Sequence, residues 1–287
     1  MALRGTTSYE SGAAATSGTI TYAGANSIQV GDVIVAIVYQ QLSGTAAYTD
    51  PSGWSSGSSI SLPDARVSSD NNYHVAVKIA GASDAGTPTY TWSTSYSGYW
   101  MIQLRVYYGR VNSSISAAFP NNVATAAGAS GNTPYAYPLT GLTANAGDDL
   151  IAGVMTTGAG GSNVGSATAI SGFSNAISSI DVGGALGGVV MSLDQVNAAA
   201  GATGTLTASI TTTSAETITP IGFVMALPQA AAAPTPKPVL SGGKLLISNG
   251  KVLTGALLFM PLSWSINRRN KLAAERRAVR DTLKRGR

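Results

Sequence analysis

Runs of β-branched and aromatic residues dominate the first 228 positions of this 287-residue chain. Residues 30–39 form a β-branched run, whereas apolar and polar residues alternate in other runs, as in residues 73–79 and 100–106. Gly, Asn, Asp or Pro interrupts the pattern roughly every 8–12 residues. Such alternation predicts an all-β sandwich or barrel. Before residue 260 no segment keeps a helical period with capping residues, so the expected fold class of this part is all-β.

Short motifs of the first half recur in the second half at offsets of 116 to 119 positions. This period is too long for a solenoid repeat. It predicts two β-sandwich units, residues 1–118 and 119–228, that either remain separate or fuse into one jelly-roll-like body. The matched segments are GDVIVA at 31–36 with GDDLIA at 147–152, SGW at 52–54 with SGF at 171–173, GTPTYTW at 86–92 with GTLTASI at 204–210, and 101–107 with 220–227.

Charge divides the chain into two unequal parts. Residues 1–230 contain 5 Lys and Arg against 11 Asp and Glu, a net of −6. Residues 231–287 contain 12 against 2, a net of +10, and the two parts together give the +4 of the whole chain. A weakly charged folded body that carries a separate cationic tail is typical of a protein held in an assembly.

The tail has three predicted parts. Residues 229–238 are rich in Ala and Pro and predict a semi-rigid linker. The remaining residues, 239–287, form a predicted anchoring segment. In it Asn249 and Gly250 predict a short β-hairpin within residues 244–253, and residues 263–284 predict a basic helix. A lone hairpin is only marginally stable, so it is expected to add to another sheet or chain.

The candidate docking residues of the tail are apolar or cationic. We expect them to bind another protein, because an apolar run precedes the cations; binding of nucleic acid and a merely solvated helix are the alternatives. The apolar stretch 253–264 is shorter than the roughly 20 residues that span a bilayer, so no membrane span is expected. The docking candidates are Leu257, Leu258, Phe259, Met260, Arg268, Arg269, Lys271, Arg276, Arg277 and Arg280.

The sequence offers little support for catalysis. The chain has no cysteine and one histidine, His74, which excludes the common zinc ligand sets. We expect His74 to be a structural or surface residue and expect no catalytic residue, metal or cofactor. Asp32 and Asp148 occupy matched turn positions, and Asp50 and Asp64 flank prolines. For all four, hydrogen bonds to the nearby backbone in turns are the simplest role. A pair of carboxylates acting as a glycosidase is not excluded by motif.

Two tyrosines are candidates for binding. Tyr96 and Tyr99 lie in a predicted turn, residues 93–99, where neither has an obvious core face. Exposed tyrosines stack on sugar rings or anchor protein contacts, so a glycan or a partner protein is the possible ligand. By contrast, Tyr90, Trp92 and Trp100 are expected in the core.

Five segments, in this order, resemble a widespread group of tailed-bacteriophage virion proteins with a Gly-rich β-sandwich fold. Members of this group are minor tail, fibre and capsid-surface components. The resemblance covers roughly residues 20–228, and the tail departs from the family pattern. The segments are GDVIVA at 31–36, PSGW at 51–54, VKIAGA at 77–82, YTW at 90–92 and LRVYYGRV at 104–111.

This resemblance implies a non-enzymatic structural protein, present as a homo-oligomer on the virion and made in the cytoplasm of the bacterial host. It supplies no catalytic residues. The implied partners are other virion proteins, contacted through the tail. Two alternatives remain: a carbohydrate-binding module for adsorption to the host, and a β-sandwich hydrolase that acts on surface polysaccharide.

Overall fold

Two strands, Val33–Gln41 and Asp149–Thr157, lie at the centres of two large sheets. All nine residues of Val33–Gln41 are buried, which requires cover on both faces of its sheet. In the computed structural model the described residues are 3–11, 13–41, 47–56, 64–68, 71–115, 123–127, 135–139, 142–157, 164–168, 170–181, 188–196, 198–203, 206–212, 221–230, 240–241, 244–245, 247–248 and 251–252.

The first large sheet is antiparallel and comes from the first part of the chain. Its strands are β1 Leu3–Glu10, β2 Ala15–Thr21, β3 Val33–Gln41, β4 Ser55–Ser56, β5 Asp64–Ser68, β6 Asn71–Ile79 and β7 Thr89–Tyr107. Their order is β1-β7-β3-β6-β4, while β2 pairs with β7 and β5 pairs with β6. A short 3-10 helix, Ala82–Asp84, lies between β6 and β7.

The second large sheet is also antiparallel and has the order β13-β14-β11-β17-β8. Two smaller sheets accompany it, with the orders β12-β16-β9 and β10-β15. The strands are β8 Val123–Ala127, β9 Tyr135–Leu139, β10 Thr143–Ala144, β11 Asp149–Thr157, β12 Val164–Thr168, β13 Ser174–Asp181, β14 Gly188–Gln195, β15 Gly201–Ala202, β16 Leu206–Thr212 and β17 Ile221–Leu227.

Three groups of buried apolar side chains hold these sheets together. The central group joins the two large sheets, since it contains Val35 of β3 and Ile151 of β11. A second group surrounds Trp92 and Trp100 in the first part of the chain. The third surrounds Leu193 in the second part. The predicted core position of the two tryptophans is confirmed, as both side chains are fully buried.

The chain divides into two compact units, Met1–Ala231 and Ala232–Arg287. In the second unit the described residues form two very short hairpins. Here β18 Leu240–Ser241 pairs with β19 Lys244–Leu245, and β20 Ile247–Ser248 pairs with β21 Lys251–Val252. The latter pair encloses Asn249 and Gly250, at the position where the sequence predicts a hairpin, although the paired strands are shorter than predicted.

Matching turns lead into the two central strands. Gly31 and Gly147 adopt φ values of +87° and +89°, which glycine reaches without the steric penalty of a side chain. The carboxylates of Asp32 and Asp148 each accept the amide three residues earlier in the chain, at 2.8 Å. The predicted role of these two aspartates in turns is therefore confirmed.

A buried polar cluster lies between the two large sheets. Arg105 of β7 is fully buried and donates hydrogen bonds to the Tyr107 hydroxyl at 2.9 Å and to the Ser192 hydroxyl at 3.1 Å. It also donates to the Asn175 carbonyl at 3.0 Å and lies 3.4 Å from the Asp194 carboxylate. Asn175 in turn donates to Asp194 at 2.7 Å. Strands β7, β13 and β14 are thus tied together by charge and hydrogen bonds.

The prediction of an all-β fold is confirmed for the described residues, which form mostly antiparallel sheets. Other predictions fall outside them. Residues 116–122, around the predicted unit boundary, are not described. Neither are residues 231–238 of the predicted linker, nor residue 239 and residues 253–287 of the predicted anchoring segment, which include the basic helix. At the start of the predicted linker, the amide of Ala230 donates to the Gly109 carbonyl at 3.1 Å, so this residue contacts the body.

We predict that Arg105→Met and Asp194→Val each lower the free energy of unfolding by about 3–5 kcal/mol, because each leaves a buried charge without its partner. The double variant should recover part of that loss, since both charges are then absent, although Tyr107, Ser192 and Asn175 lose hydrogen bonds to the two replaced side chains. Urea unfolding followed by tryptophan fluorescence measures all three values. A double variant less stable than either single variant would show that the two residues do not act as a pair.

Candidate functional site

The chain's one histidine is buried against an aspartate. His74 lies on β6, and its Nε2 is 2.8 Å from Oδ1 of Asp50. Asp50 follows Thr49, whose backbone pairs with β7 and places the aspartate beside the first large sheet. The same carboxylate accepts hydrogen bonds from Trp92 Nε1 at 2.9 Å and from the Ser56 hydroxyl at 2.6 Å.

Tyr48 completes this group. Its ring stacks on the imidazole of His74 with centroids 4.8 Å apart and an angle of 27° between the planes. The side chain of His74 is 4% exposed and that of Asp50 is 19% exposed, so solvent reaches the carboxylate more than the imidazole. We refer to Asp50, Ser56, His74, Trp92 and Tyr48 as the Asp50 cluster.

The hydrogen bonds of the Asp50 cluster favour an ionised carboxylate. Burial alone would raise the pKa of Asp50, but the hydrogen bond and charge of His74, with the hydrogen bonds from Ser56 and Trp92, hold this pKa below its usual range. Three donors around one carboxylate satisfy most of its acceptor capacity. Asp50 therefore acts as the centre of a polar network that links β4, β6 and β7.

The geometry of the Asp50 cluster favours a structural role. In Ser-His-Asp hydrolases the aspartate orients the imidazole, and the serine hydroxyl donates its proton to that imidazole. Here the hydroxyl of Ser56 donates to the carboxylate. A hydroxyl has a single proton, so in this arrangement Ser56 does not donate to His74 as the serine of such a triad does.

Each Lys or Arg whose side chain the structure describes is paired with a carboxylate inside the body. Two of these four pairs lie within the first part of the chain, and two connect the first part with the second. The pairs are Arg4 with Asp32 (3.0 Å), Lys78 with Asp84 (2.7 Å), Arg105 with Asp194 (3.4 Å) and Arg110 with Asp149 (2.7 Å).

Two kinds of site are not found in the described part of the chain. No group of three or more His, Cys, Asp or Glu side chains there is arranged to hold a metal ion. None of the described helices has the length and apolar character needed to cross a bilayer.

Tyr96 and Tyr99 lie on β7, and the predicted turn at residues 93–99 is wrong. The strand is irregular there, because Ser93 pairs with Ser17 and Gly98 pairs with Ala15, so five steps along β7 oppose two steps along β2. Pairing with β3 begins at Tyr99, which lies opposite Gln41. Tyr96 is 48% exposed, one of the most exposed large apolar side chains among the described residues. Tyr99 is half-buried. The structure thus presents one of the two tyrosines to solvent.

Paired threonines cover the outer face of β2 and β7. Thr19 lies opposite Thr91, and Thr21 lies opposite Thr89, with hydroxyl oxygens 2.9 and 2.8 Å apart. All four threonines are exposed. This face therefore presents ordered hydroxyl groups on the same strand as Tyr96.

The predicted docking residues, from Leu257 to Arg280, all lie outside the described residues. Their assignment as a binding segment stays a prediction from sequence.

Comparison of the chain with models of protein families, with curated proteins and with solved structures finds no match. The site and the fold are therefore interpreted from their own geometry.

Sequence reasoning found His74 but missed its partner. Asp50 lies 24 positions before His74 and next to a proline, so its expected role was a turn. Nothing in the local pattern indicates that Thr49 pairs with β7 and brings Asp50 under Trp92. The alternation of β6 does place His74 on one face with Ala76, and this was the available signal.

We predict that Asp50→Asn destabilises the protein by about 2 kcal/mol near neutral pH, because charge-assisted hydrogen bonds are lost. A lowered folded-state pKa contributes stability that is present above the unfolded pKa and is lost as the pH falls through the folded one. The wild-type protein should therefore lose stability below about pH 4, and the variant should lose less there. Urea midpoints across acidic pH measure this dependence.

Ser56→Ala is the matched comparison, since it removes one of the hydrogen bonds to Asp50 and keeps the charge. It should cause a smaller loss and keep most of the acid dependence. If Asp50→Asn shows the full wild-type acid dependence, the assignment of that dependence to Asp50 is incorrect.

Proposed function

We propose that this chain is a non-enzymatic structural protein of a tailed-bacteriophage particle, with a β-sandwich body that is attached to the particle by the basic segment 239–287. The observation that carries the proposal is the separation of charge between the two parts. The body has a net charge of −6 and the tail a net charge of +10. The resemblance of residues 20–228 to virion proteins supplies the class of assembly.

The ion pairs of the body strengthen this argument. The described Lys and Arg side chains of the body are each engaged by a carboxylate within it, as set out above. The cations of residues 231–287 face only two acids in their own segment. Charge complementarity therefore favours an acidic surface of another virion protein as the partner of the tail.

We further propose that the body arose by duplication of one β-sandwich unit. The recurring sequence motifs and the matched turns at Gly31 and Gly147 support this. The strand order supports it as well, because β3 lies between β6 and β7 just as β11 lies between β14 and β17. Many symmetric copies of such a body, on the tail, a fibre or the capsid surface, would serve as a spacing or decorating element.

We predict that a chain ending at Ala231 folds but does not join the particle, because the tail is absent while the compact unit Met1–Ala231 is complete. Full-length and shortened chains, each tagged at the N-terminus, are produced during phage growth, and purified virions are analysed by mass spectrometry. Full-length protein should be present in the virions and the shortened chain should be depleted.

Two outcomes would contradict the proposal. Equal incorporation of both chains would show that the tail is not the anchor. Absence of the full-length chain from purified virions would show that the protein is not a virion component.

A carbohydrate-binding role in adsorption to the host is the second candidate. The exposed ring of Tyr96, on a strand that also carries a row of exposed threonine hydroxyls, favours it. Aromatic rings stack on the apolar faces of sugars, and hydroxyls supply hydrogen bonds.

We predict for this second candidate that Tyr96→Ala lowers affinity for a host-surface glycan by about tenfold, equivalent to about 1.4 kcal/mol. Binding is measured by glycan array and calorimetry. Tyr108→Ala is the control, because Tyr108 is similarly exposed, at 43%, but lies beyond the end of β7. No binding by the wild-type chain, or equal binding by both variants, would remove this candidate.

A further inference from the structure

Equivalent positions in the two large sheets follow from strand pairing. Strand β3 lies between β6 and β7, and β11 lies between β14 and β17. When Val33 of β3 is aligned with Asp149 of β11, residues that pair with β3 correspond to residues that pair with β11. The corresponding positions are Arg105 and Met225, Val77 and Asp194, Val75 and Ser192, Gln103 and Phe223, Tyr107 and Leu227, and Val33 and Asp149.

The polar cluster between the sheets has no counterpart at the equivalent positions. Arg105 of the first sheet lies 3.4 Å from Asp194 of the second, and both side chains are fully buried. The equivalent pair, Met225 and Val77, is apolar and belongs to the central group of buried side chains. One region of the contact is thus charged, and the equivalent region is not.

A second buried ion pair repeats this asymmetry. Arg110 follows β7, and its Nη2 is 2.7 Å from the carboxylate of Asp149 at the start of β11. Arg110 also donates to the Gly147 carbonyl at 3.1 Å. By register Asp149 corresponds to Val33. Tyr107 and Leu227 are equivalent, and Arg110 lies three positions after Tyr107. The residue equivalent to Arg110 is therefore Ala230, three positions after Leu227.

In both ion pairs the first part of the chain provides the arginine and the second part provides the aspartate. If the first large sheet of a second copy took the place of the second large sheet, Arg105 would face Val77 of that copy, and the buried guanidinium would lose its partner. If the second large sheet of another copy took the place of the first large sheet, Asp194 would face Met225 of that copy, and the buried carboxylate would lose its partner. Unpaired buried charges are strongly unfavourable.

We infer that these two ion pairs determine which sheet packs on which: each large sheet accepts the other and rejects the same sheet of a second copy. Discrimination of this kind works by penalising the wrong partner, and it does not require that the pairs stabilise the correct one. A duplicated protein needs such discrimination, because its two halves otherwise present similar apolar faces to each other and to a second copy.

This inference relies on the duplication proposed above, and it does not depend on the virion role. The experiment uses the purified full-length chain, so its failure is separate from any failure of the virion assignment. The double variant Arg105→Met, Asp194→Val introduces the residue types already present at the equivalent positions. The variant Lys78→Met, Asp84→Asn removes an ion pair within the first part and serves as the matched control.

Each protein is unfolded in urea and refolded at low and at high concentration, and the species are separated by size and measured by light scattering. The Arg105→Met, Asp194→Val variant should regain its fold at low concentration. At high concentration it should form several-fold more of the larger species than the wild type or the control. Two copies with different affinity tags, refolded together, should then be isolated as mixed species.

The inference is overturned if the double variant refolds with the same distribution of species as the wild type at every concentration. It is also overturned if that variant fails to fold at low concentration, since the pair would then be needed for stability and not for choice of partner. The variant Arg110→Ala, Asp149→Val repeats the test at the second pair. If this second variant refolds with the same distribution of species as the wild type, the choice of partner sheet is assigned to the pair of Arg105 and Asp194 alone.

Discussion

The central strand of the first large sheet is buried on both faces, and the two large sheets pack on each other through buried side chains. A polar side chain between them therefore reaches no water and must find a partner inside the protein. Arg105 meets this requirement through two hydroxyls, a carbonyl and a carboxylate. Around it the inner faces are apolar and close-packed. Such a cluster need not add net free energy compared with apolar burial. The role inferred for it above is to limit which sheets can pack together.

The same constraint explains the distribution of charge. A body with few charged residues and buried arginines uses its cations to satisfy internal carboxylates, and its remaining acids determine its net charge. The tail carries 12 Lys and Arg against two Asp and Glu of its own. The contrast between the two net charges thus accompanies a structural feature of the body, whose described cations are paired with internal carboxylates.

Local pattern predicted much of the fold, since alternation and turn residues act over a few positions. The strands around Val35 and Ile151, the turn aspartates and the core tryptophans were all accessible in this way. The course of β7 on both sides of Tyr96 was not, because it depends on pairing with β2 before this residue and with β2 and β3 after it, and both strands are distant in sequence. The Asp50–His74 contact and the Arg105–Asp194 contact were hidden for the same reason: each depends on which strands become neighbours, and no local signal carries that information.

The route by which the chain leaves its body has a mechanical consequence. Strand β17 lies between β11 and β8 and ends at Leu227. The residues that follow it form backbone hydrogen bonds with the segment after β7. The Val111 amide donates to the Pro228 carbonyl, and the Ala230 amide donates to the Gly109 carbonyl. Hydrogen bonds of antiparallel strands are perpendicular to the strand direction. A pull applied after Ala230 along the direction of β17 would load these bonds together in shear instead of opening them one at a time, so the body would resist tension at this point.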